Sequence, residues 1–305
     1  MSSFCAQQMR APQYKMIAID LDGTLLSPAG QVTDRTKSAV HACLRSGMLV
    51  CFATGRNWTE SKMVLDAVEH YATAVFVGGA MVIDTGQRVT LHKAYVEPQL
   101  AREICGALEE AGHAVLALQD SEQVDYLVSA EIPLNPETDH WMRLTRATVH
   151  RTSNLRGYDH SNTLRLGIVA APEEVGRVKQ KLTARFAERV ILQNLFVPTA
   201  NVDVLEIFDP SVNKWEGIKL VAHQHGIAHE QIIAIGDDFN DLSMIQAAGL
   251  GVAMGNARPE IKAVAKRIIG TNHEEGLAAF LEELVAQHAV ISDLGPSVSS
   301  GGAAA

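Results

Sequence analysis

The sequence predicts an α/β protein: a Rossmann-like, doubly wound parallel-sheet core with an inserted α+β domain. The first observation behind this is a set of short apolar, β-branched runs, Met16-Ile17-Ala18-Ile19, Met48-Leu49-Val50-Cys51-Phe52-Ala53 and Ile232-Ile233-Ala234-Ile235. Each is short enough for a buried strand and each empties into turn-forming polar residues. The second is the helical patterning between such runs, a βαβαβ rhythm that calls for a parallel sheet with helices on both faces. The third is a change of rhythm over about 92–197, where two helical stripes accompany several strand-like pieces. A chain of 305 residues is also long for a single core. The expected division is a discontinuous core over 14–91 and 198–290, an insertion over 92–197, and disordered tails at 1–13 and 291–305.

In chain order, the first strand is followed by a loop over 27–32 and a helix that starts with Thr33 or Asp34 as its N-cap and stops at Gly47. Val40 and Leu44 mark its inner face. The second strand leads into Thr54-Gly55-Arg56 and a helix over about 58–69, with Met63 and Val64 expected inside. A third strand, 74–77, precedes Gly78-Gly79, and residues 81–96 read as a hairpin turning at Asp84-Thr85-Gly86-Gln87. In the insertion, Leu100, Ile104 and Leu108 stripe one helix, and Val175, Val178, Leu182 and Phe186 stripe another. Strand-like pieces stand at 114–118, 125–128, 163–170 and 190–192. Residues 133–162 carry Trp141, His140, His150, Arg151, Arg156 and His160 with little apolar periodicity, as a solvated polar face would. Beyond 198 come an alternating strand over 202–207, a helix containing Ile218 and Val221, the strand 231–235, a helix ending at Gly249, a strand over 251–254, and closing helices at 260–266 and 274–288.

Composition is that of an ordinary globular protein, 47% hydrophobic and 20% charged. The formal charge of −9 argues against nucleic acid or an anionic membrane as partner, so any phosphate must be met by a local cationic pocket. The four cysteines, Cys5, Cys43, Cys51 and Cys105, show no metal or redox spacing and read as buried reduced thiols. No apolar run reaches membrane-spanning length and the first thirteen residues lack a signal-peptide core, so a soluble cytoplasmic protein is the default expectation. His223 and His225 diverge on a helix, and Gly249-x-Gly251 lacks the rest of a dinucleotide fingerprint.

The chemistry collects at the strand ends. Asp20-Leu21-Asp22-Gly23-Thr24 places two carboxylates one residue apart where a buried strand meets a glycine turn. Charged groups are costly there unless paired or bound to metal. A polar turn would explain that stretch alone. However, the strand at 232–235 also runs into acid, Gly236, Asp237, Asp238, Asn240 and Asp241, and a hydroxyl, Thr54, follows another strand. Ligands of open parallel sheets bind beyond the carboxyl ends of the strands, which would gather these groups at one rim. Asp20, Asp22 and Asp237, and with them Asp241, would repel unless a cation joined them. Hard carboxylate oxygens without Cys or His suit Mg²⁺.

These segments, in this order, resemble the haloacid dehalogenase superfamily of phosphatases, and within it the Cof-type branch. D-x-D-G-T matches residues 20–24, the hydroxyl motif matches Thr54 with Gly55-Arg56, the lysine motif matches Lys214, and G-D-x-x-N-D matches residues 236–241. The stretch 247–257, ending in Gly255-Asn256-Ala257, also follows the branch. The resemblance covers roughly 14–90 and 200–285. It departs at Gly78, where the branch usually has Asn, and at Trp215-Glu216-Gly217, where a Gly directly after the lysine is common. The resemblance implies a cap inserted between the second and third motifs. It also implies that Asp20 is the nucleophile and forms an aspartyl-phosphate, while Asp22 is the general acid and base. Mg²⁺ would be held by Asp20, the main-chain carbonyl of Asp22 and the Asp237 carboxylate. Thr54 and Lys214 would bind the phosphoryl oxygens, with backbone amides at Leu21 and Gly55 as further donors. Asn240 would orient phosphate or Lys214, and Asp241 would orient Lys214 or a metal-bound water.

Blander roles compete at some positions. Thr54 suits a helix N-cap, a lysine before a helix is common, and Arg56 suits a surface or cap contact as well as a substrate ligand. At the level of function, the expectation is Mg²⁺-dependent hydrolysis of a small phosphate monoester, a sugar phosphate first, with a small phosphorylated metabolite as partner and the oligomeric state open. Two rivals stand beside it: a phosphomutase that hands the phosphoryl group to a sugar, and a regulatory protein that binds phosphate without catalysis.

Overall fold

The computed structural model describes residues 14–121, 123–145, 147–197 and 202–293. The chain opens with β1 (Met16–Ile19), α1 (Asp34–Arg45), β2 (Leu49–Phe52), α2 (Trp58–Val68), β3 (Thr73–Phe76), β4 (Met81–Asp84) and β5 (Val89–Lys93). It continues through α3 (Pro98–Glu110), β6 (Leu116–Gln119), β7 (Tyr126–Ser129), α4 (Pro136–Thr145), β8 (Val149–Thr152), β9 (Thr163–Ala170), α5 (Pro172–Phe186), β10 (Ile191–Val197) and β11 (Val202–Phe208). It closes with α6 (Lys214–Gln224), β12 (Ile232–Gly236), α7 (Leu242–Ala247), β13 (Leu250–Ala253), α8 (Pro259–Val264), β14 (Arg267–Ile268) and α9 (Gly276–Asp293). The segments divide into two compact units, one of residues 1–51, 222–238 and 244–305, the other of 52–221 and 239–243. The expected tail at 1–13 and residues 294–305 of the one expected at 291–305 lie outside the described residues, whereas 291–293 belong to α9, which runs on to Asp293.

The first unit is built on a sheet in the order β14-β13-β12-β1-β2. β1 pairs with β12 in parallel, Ile19 opposite Ile235, and β12 with β13. Every residue of β1 and β12 is buried, as both faces of a central parallel strand must be. α1 is started by Thr33, whose side chain accepts from the Thr36 amide, and it buries Thr36, Ala39, Val40 and Cys43. Its first turn is tied to α9 by Thr33 Oγ1 to Glu275 Oε1 at 2.6 Å and by Arg35 to Glu282.

In the second unit β3, β4 and β5 form an antiparallel sheet, so β3 departs from the expected parallel continuation. All four residues of β3 pair with β4, and among the described residues an isolated bridge, Ala53–Val75, joins it in parallel to the chain after β2. Five strands of the insertion form a six-stranded sheet, β10-β11-β9-β6-β7-β8, antiparallel except for β7 with β8; the sixth, β11, lies beyond the expected boundary at 197 because it pairs with β9 and β10. α3 and α5 bury Leu100, Ile104, Leu108, Val175, Val178, Leu182 and Phe186 in one cluster with Leu166, Ile168, Leu205 and Ile207.

Two further expectations are corrected in whole or in part. Met63 is 68% exposed while Val64 is buried, because the inner stripe of α2 runs through Ser61, Val64, Leu65 and Val68. The solvated polar face expected over 133–162 holds in part: the segment forms α4 and β8, and His140, His150, Arg151 and Arg156 are exposed, but two of its named residues are not. Trp141 is buried edge-on against Tyr126, and His160 is buried with its Nδ1 2.9 Å from Thr163 Oγ1. α4 carries a start signal, Asn135 accepting from the Thr138 amide before Pro136, but its inward stripe uses Thr138 as well as Trp141 and so shows little apolar period. Among the described residues no helix is long and apolar enough to cross a membrane.

Backbone contact fixes the turn after β3. Gly79 has φ +113°, and a Cβ there would lie 2.1 Å from the Asn213 carbonyl oxygen. Gly79→Ala is therefore expected to destabilise the protein by about 2–4 kcal/mol in urea unfolding. Gly176→Ala, inside α5 with no atom near its Cβ position, is expected to stabilise it by about 0.5–1 kcal/mol. Cys43, Cys51 and Cys105 are buried, and burial pushes the Cys43 and Cys51 thiols up to about 12 and that of Cys105 higher still. In a Cys5→Ser variant, these three thiols should resist a thiol reagent at pH 8 until denaturant is added.

Candidate active site

In the first unit the strand order reverses between β1 and β12: the chain builds outward from β1 through β2 and, later, outward the other way from β12 through β13 and β14. That is the topological switch point at which open α/β sheets leave a crevice. Asp20 and Asp237 are the first residues beyond those two strands. The Asp20 amide donates to the Ile235 carbonyl at 3.0 Å, which sets the two strand ends side by side. The two side chains each offer a carboxylate oxygen, within 4.8 Å of one another.

Between Asp20 and Leu26 the chain makes a single wide turn, closed by Leu25 N to Asp20 O at 3.2 Å and Leu26 N to Leu21 O at 2.9 Å. Such i→i+5 turns are rare and gather at functional sites. The turn buries Asp20 and the Leu21 side chain and leaves Asp22 exposed. Gly23 is required at its centre: φ is +76°, and a Cβ would fall 2.1 Å from Asp237 Oδ2. The Thr24 hydroxyl is buried with no hydrogen-bond partner among the described residues.

Asn256 locks this arrangement, donating through Nδ2 to the Gly23 carbonyl at 2.8 Å and to Asp237 Oδ2 at 3.2 Å. Its own Oδ1 accepts from the Asn272 amide, and the Asn272 side chain donates to Leu26 O. The Arg258 amide donates to the Asp237 carbonyl, while its guanidinium pairs with Asp238. Sequence reasoning gave Asn256 no role and did not single out Asn272 or Arg258. The Gly255-Asn256-Ala257 pattern was the available signal, since a side-chain amide after a short strand can serve two neighbouring loops.

Two unit charges about 4 Å apart repel by about 4 kcal/mol at an effective dielectric near 20. Asn256 offsets little of that. The oxygens brought together by Asp20 and Asp237 are carboxylate oxygens, and Gly23 lets the turn pass close to Asp237 where a Cβ would collide. Both features fit a hard divalent cation such as Mg²⁺.

The second unit carries the remaining predicted residues, Thr54, Gly55, Arg56, Lys214, Asn240 and Asp241. Thr54 is buried; its amide donates to the Val75 carbonyl and its carbonyl accepts from Gly78. It is not a helix cap. Asn57 caps α2 in a reciprocal box with Glu60, which leaves Thr54 Oγ1 to accept from the Arg56 amide at 3.1 Å. Arg56 is half-buried, and its guanidinium reaches the Glu60 carbonyl at 3.4 Å.

The turn over 77–79 abuts Asn213 through Gly79, and the next residue, Lys214, begins α6. Lys214 Nζ donates to Asp241 Oδ1 at 2.6 Å with both side chains fully buried. The Asn240 side-chain amide lies 3.6 Å from the Cβ position of Gly55, which closes the ring of contacts around Thr54, Gly79, Lys214 and Asn240. At Gly78, where a side chain would be expected, the Phe208 ring stands 3.4 Å from the Cβ position and occupies the neighbouring space.

An ammonium at the first residue of a helix opposes the helix dipole, and its burial demands a counter-charge. Asp241 supplies it. Lys214→Met should cost about 3–5 kcal/mol in urea unfolding because it strands a buried carboxylate. Lys214→Met with Asp241→Leu should lose less than the two single variants added together.

The haloacid dehalogenase-like hydrolase family matches residues 17–281. Among curated proteins, the chain is 29% identical over 288 residues to Phosphatase YwpJ of Bacillus subtilis (strain 168), covering 89% of this chain and 100% of the relative. It is 30% identical over 278 residues to the 5-amino-6-(5-phospho-D-ribitylamino)uracil phosphatase YitU of the same organism, covering 88% and 96%. In three dimensions it is similar to a haloacid dehalogenase-like hydrolase from Bacteroides thetaiotaomicron, with a TM-score of 0.75 at 23% identity over 89% of this chain and 100% of that one. TM0651 from Thermotoga maritima gives 0.74 at 24% identity, over 89% and 97%. At such identities the structural matches establish the fold.

Proposed function

The chain belongs to the haloacid dehalogenase-like hydrolases, and from that premise we propose that it is a Mg²⁺-dependent phosphatase of a small phosphate monoester, a sugar phosphate first among them. The observation that carries this reading is the pair Asp20 and Asp237 leaving adjacent parallel strands at the switch point, with carboxylate oxygens within 4.8 Å. The substrate class draws support from YitU, whose name places its phosphate on a ribityl chain.

Asp20, the main-chain carbonyl of Asp22 and Asp237 would hold Mg²⁺, which when bound would cancel the charge of the carboxylates and of the phosphoester. An Asp20 carboxylate oxygen attacks phosphorus, and the bond from phosphorus to the ester oxygen breaks. Asp22, exposed beside it, gives a proton to the departing alkoxide. In the second step Asp22 takes a proton from water, whose oxygen attacks the phosphorus of the aspartyl-phosphate. The Asp20–phosphorus linkage breaks and inorganic phosphate leaves. Thr54, Lys214 and the amides of Leu21 and Gly55 hold the non-bridging oxygens, where positioning and charge do most of the work. Asp241 and Asn240 orient Lys214, and Arg56 supports the Thr54 turn. Residues 92–197 act as the substrate-selecting insertion, with 14–91 and 198–290 as the catalytic core.

The test is turnover of p-nitrophenyl phosphate and a panel of phosphate monoesters with and without Mg²⁺. Wild type should need the ion, Asp20→Asn should fall to background, and Asp22→Asn should lose about 10²–10⁴-fold. Undiminished turnover by purified Asp20→Asn would falsify the nucleophile assignment.

A further inference from the structure

Strand β9 is buried along its whole length, yet it contains an arginine. Arg165 is 6% exposed and lies in the second unit together with everything it touches. Leu118 of β6 stands opposite both Arg165 and Tyr126, so Tyr126, Leu118 and Arg165 form one row across the sheet. Glu206 pairs with Gly167, two residues along β9 from Arg165, and therefore shares its face.

Arg165 Nη1 pairs with Glu206, and Nη2 donates to the Tyr126 hydroxyl at 2.7 Å. That hydroxyl lies 3.5 Å from Glu60 Oε1. Burial pushes the Glu60 and Glu206 carboxyls up, and Arg165 opposes the shift in both. A buried ion pair is weak ground for stability, since apolar residues of similar shape often do as well. The arrangement instead has a directional product. Arg165 Nη1 also donates to the Gly55 carbonyl at 3.1 Å.

That carbonyl and the Arg56 amide belong to one planar peptide unit. The same Arg56 amide donates to Thr54 Oγ1 at 3.1 Å. Gripping the carbonyl end fixes the plane, and the plane fixes which lone pair of the hydroxyl is used. The Thr54 hydrogen is then left to donate elsewhere.

We infer that Arg165 is a positioning residue: by holding the Gly55–Arg56 peptide it aims the Thr54 hydroxyl as a donor to the transferring phosphoryl group. The inference rests on the phosphatase reading and deepens it. Three of the five N–H donors of Arg165 are committed to Glu206, Tyr126 and Gly55, and the role assigned to it runs through the last of these.

Arg165→Lys is the informative variant. It keeps a cation beside Glu206, so the fold is supported, but an ammonium cannot reproduce the planar fork that reaches three partners. With p-nitrophenyl phosphate and Mg²⁺, kcat/KM of Arg165→Lys should fall by about 10–100-fold, the scale of one hydrogen bond to a charged group. Thr54→Val should cost wild type by a similar factor and Arg165→Lys far less, because the first change has already misdirected the hydroxyl. Arg165→Met, checked by thermal unfolding, should behave likewise where it folds. A folded Arg165→Lys with wild-type kcat/KM, or losses from the two positions that multiply fully, would overturn the inference while leaving the phosphatase reading intact. Wild type without turnover of any monoester overturns the reading on which it rests.

Discussion

Two carboxylates held side by side at the mouth of a parallel sheet are a standing electrostatic debt, and much of the first unit is arranged around it. Asp20 and Asp237 leave β1 and β12 because the register Ile19–Ile235 brings the strand ends level. Gly23 lets the turn after Asp20 pass close to Asp237, where any side chain would collide. Asn256 bridges the two loops through one amide group, and the Arg258 amide fixes the Asp237 main chain. None of these contacts removes the repulsion. They hold the geometry in which a divalent cation would.

The second unit handles charge by the opposite device. Its buried cations are each matched to a buried anion, Lys214 to Asp241 and Arg165 to Glu206. Pairing of this kind adds little net stability over an apolar core, but it fixes direction in a way that apolar contacts cannot. Around Thr54 the directional bonds converge: its amide and carbonyl are taken by Val75 and Gly78, and its hydroxyl by the Arg56 amide. The Asn57–Glu60 box starts α2 three residues later and thereby relieves Thr54 of a capping role.

The inserted sheet also reaches the turn after Thr54. Through Arg165, and through Asp125, which accepts from Thr59 Oγ1 at 2.9 Å, it contacts the segment 55–60 that follows the Thr54 strand. The inserted strands and the turn at Thr54 thus belong to one packed unit.

By itself the sequence determined the strands, the acidic strand ends and the order of the motifs. Those features are local: β1 and β12 are continuous apolar runs, and D-x-D-G-T states its own turn through Gly23. It also supplied every residue of the proposed site. The tertiary structure alone decided what those residues touch. That Met63 faces outward, that β3 joins an antiparallel hairpin, and that His160 and Trp141 are buried depend on partners distant in the chain. Asn256, Arg165 and Glu206 were given no role because a polar residue in a loop or strand declares its type but not its counterpart. Burial becomes affordable only once that counterpart is in place, and folding is what puts it there.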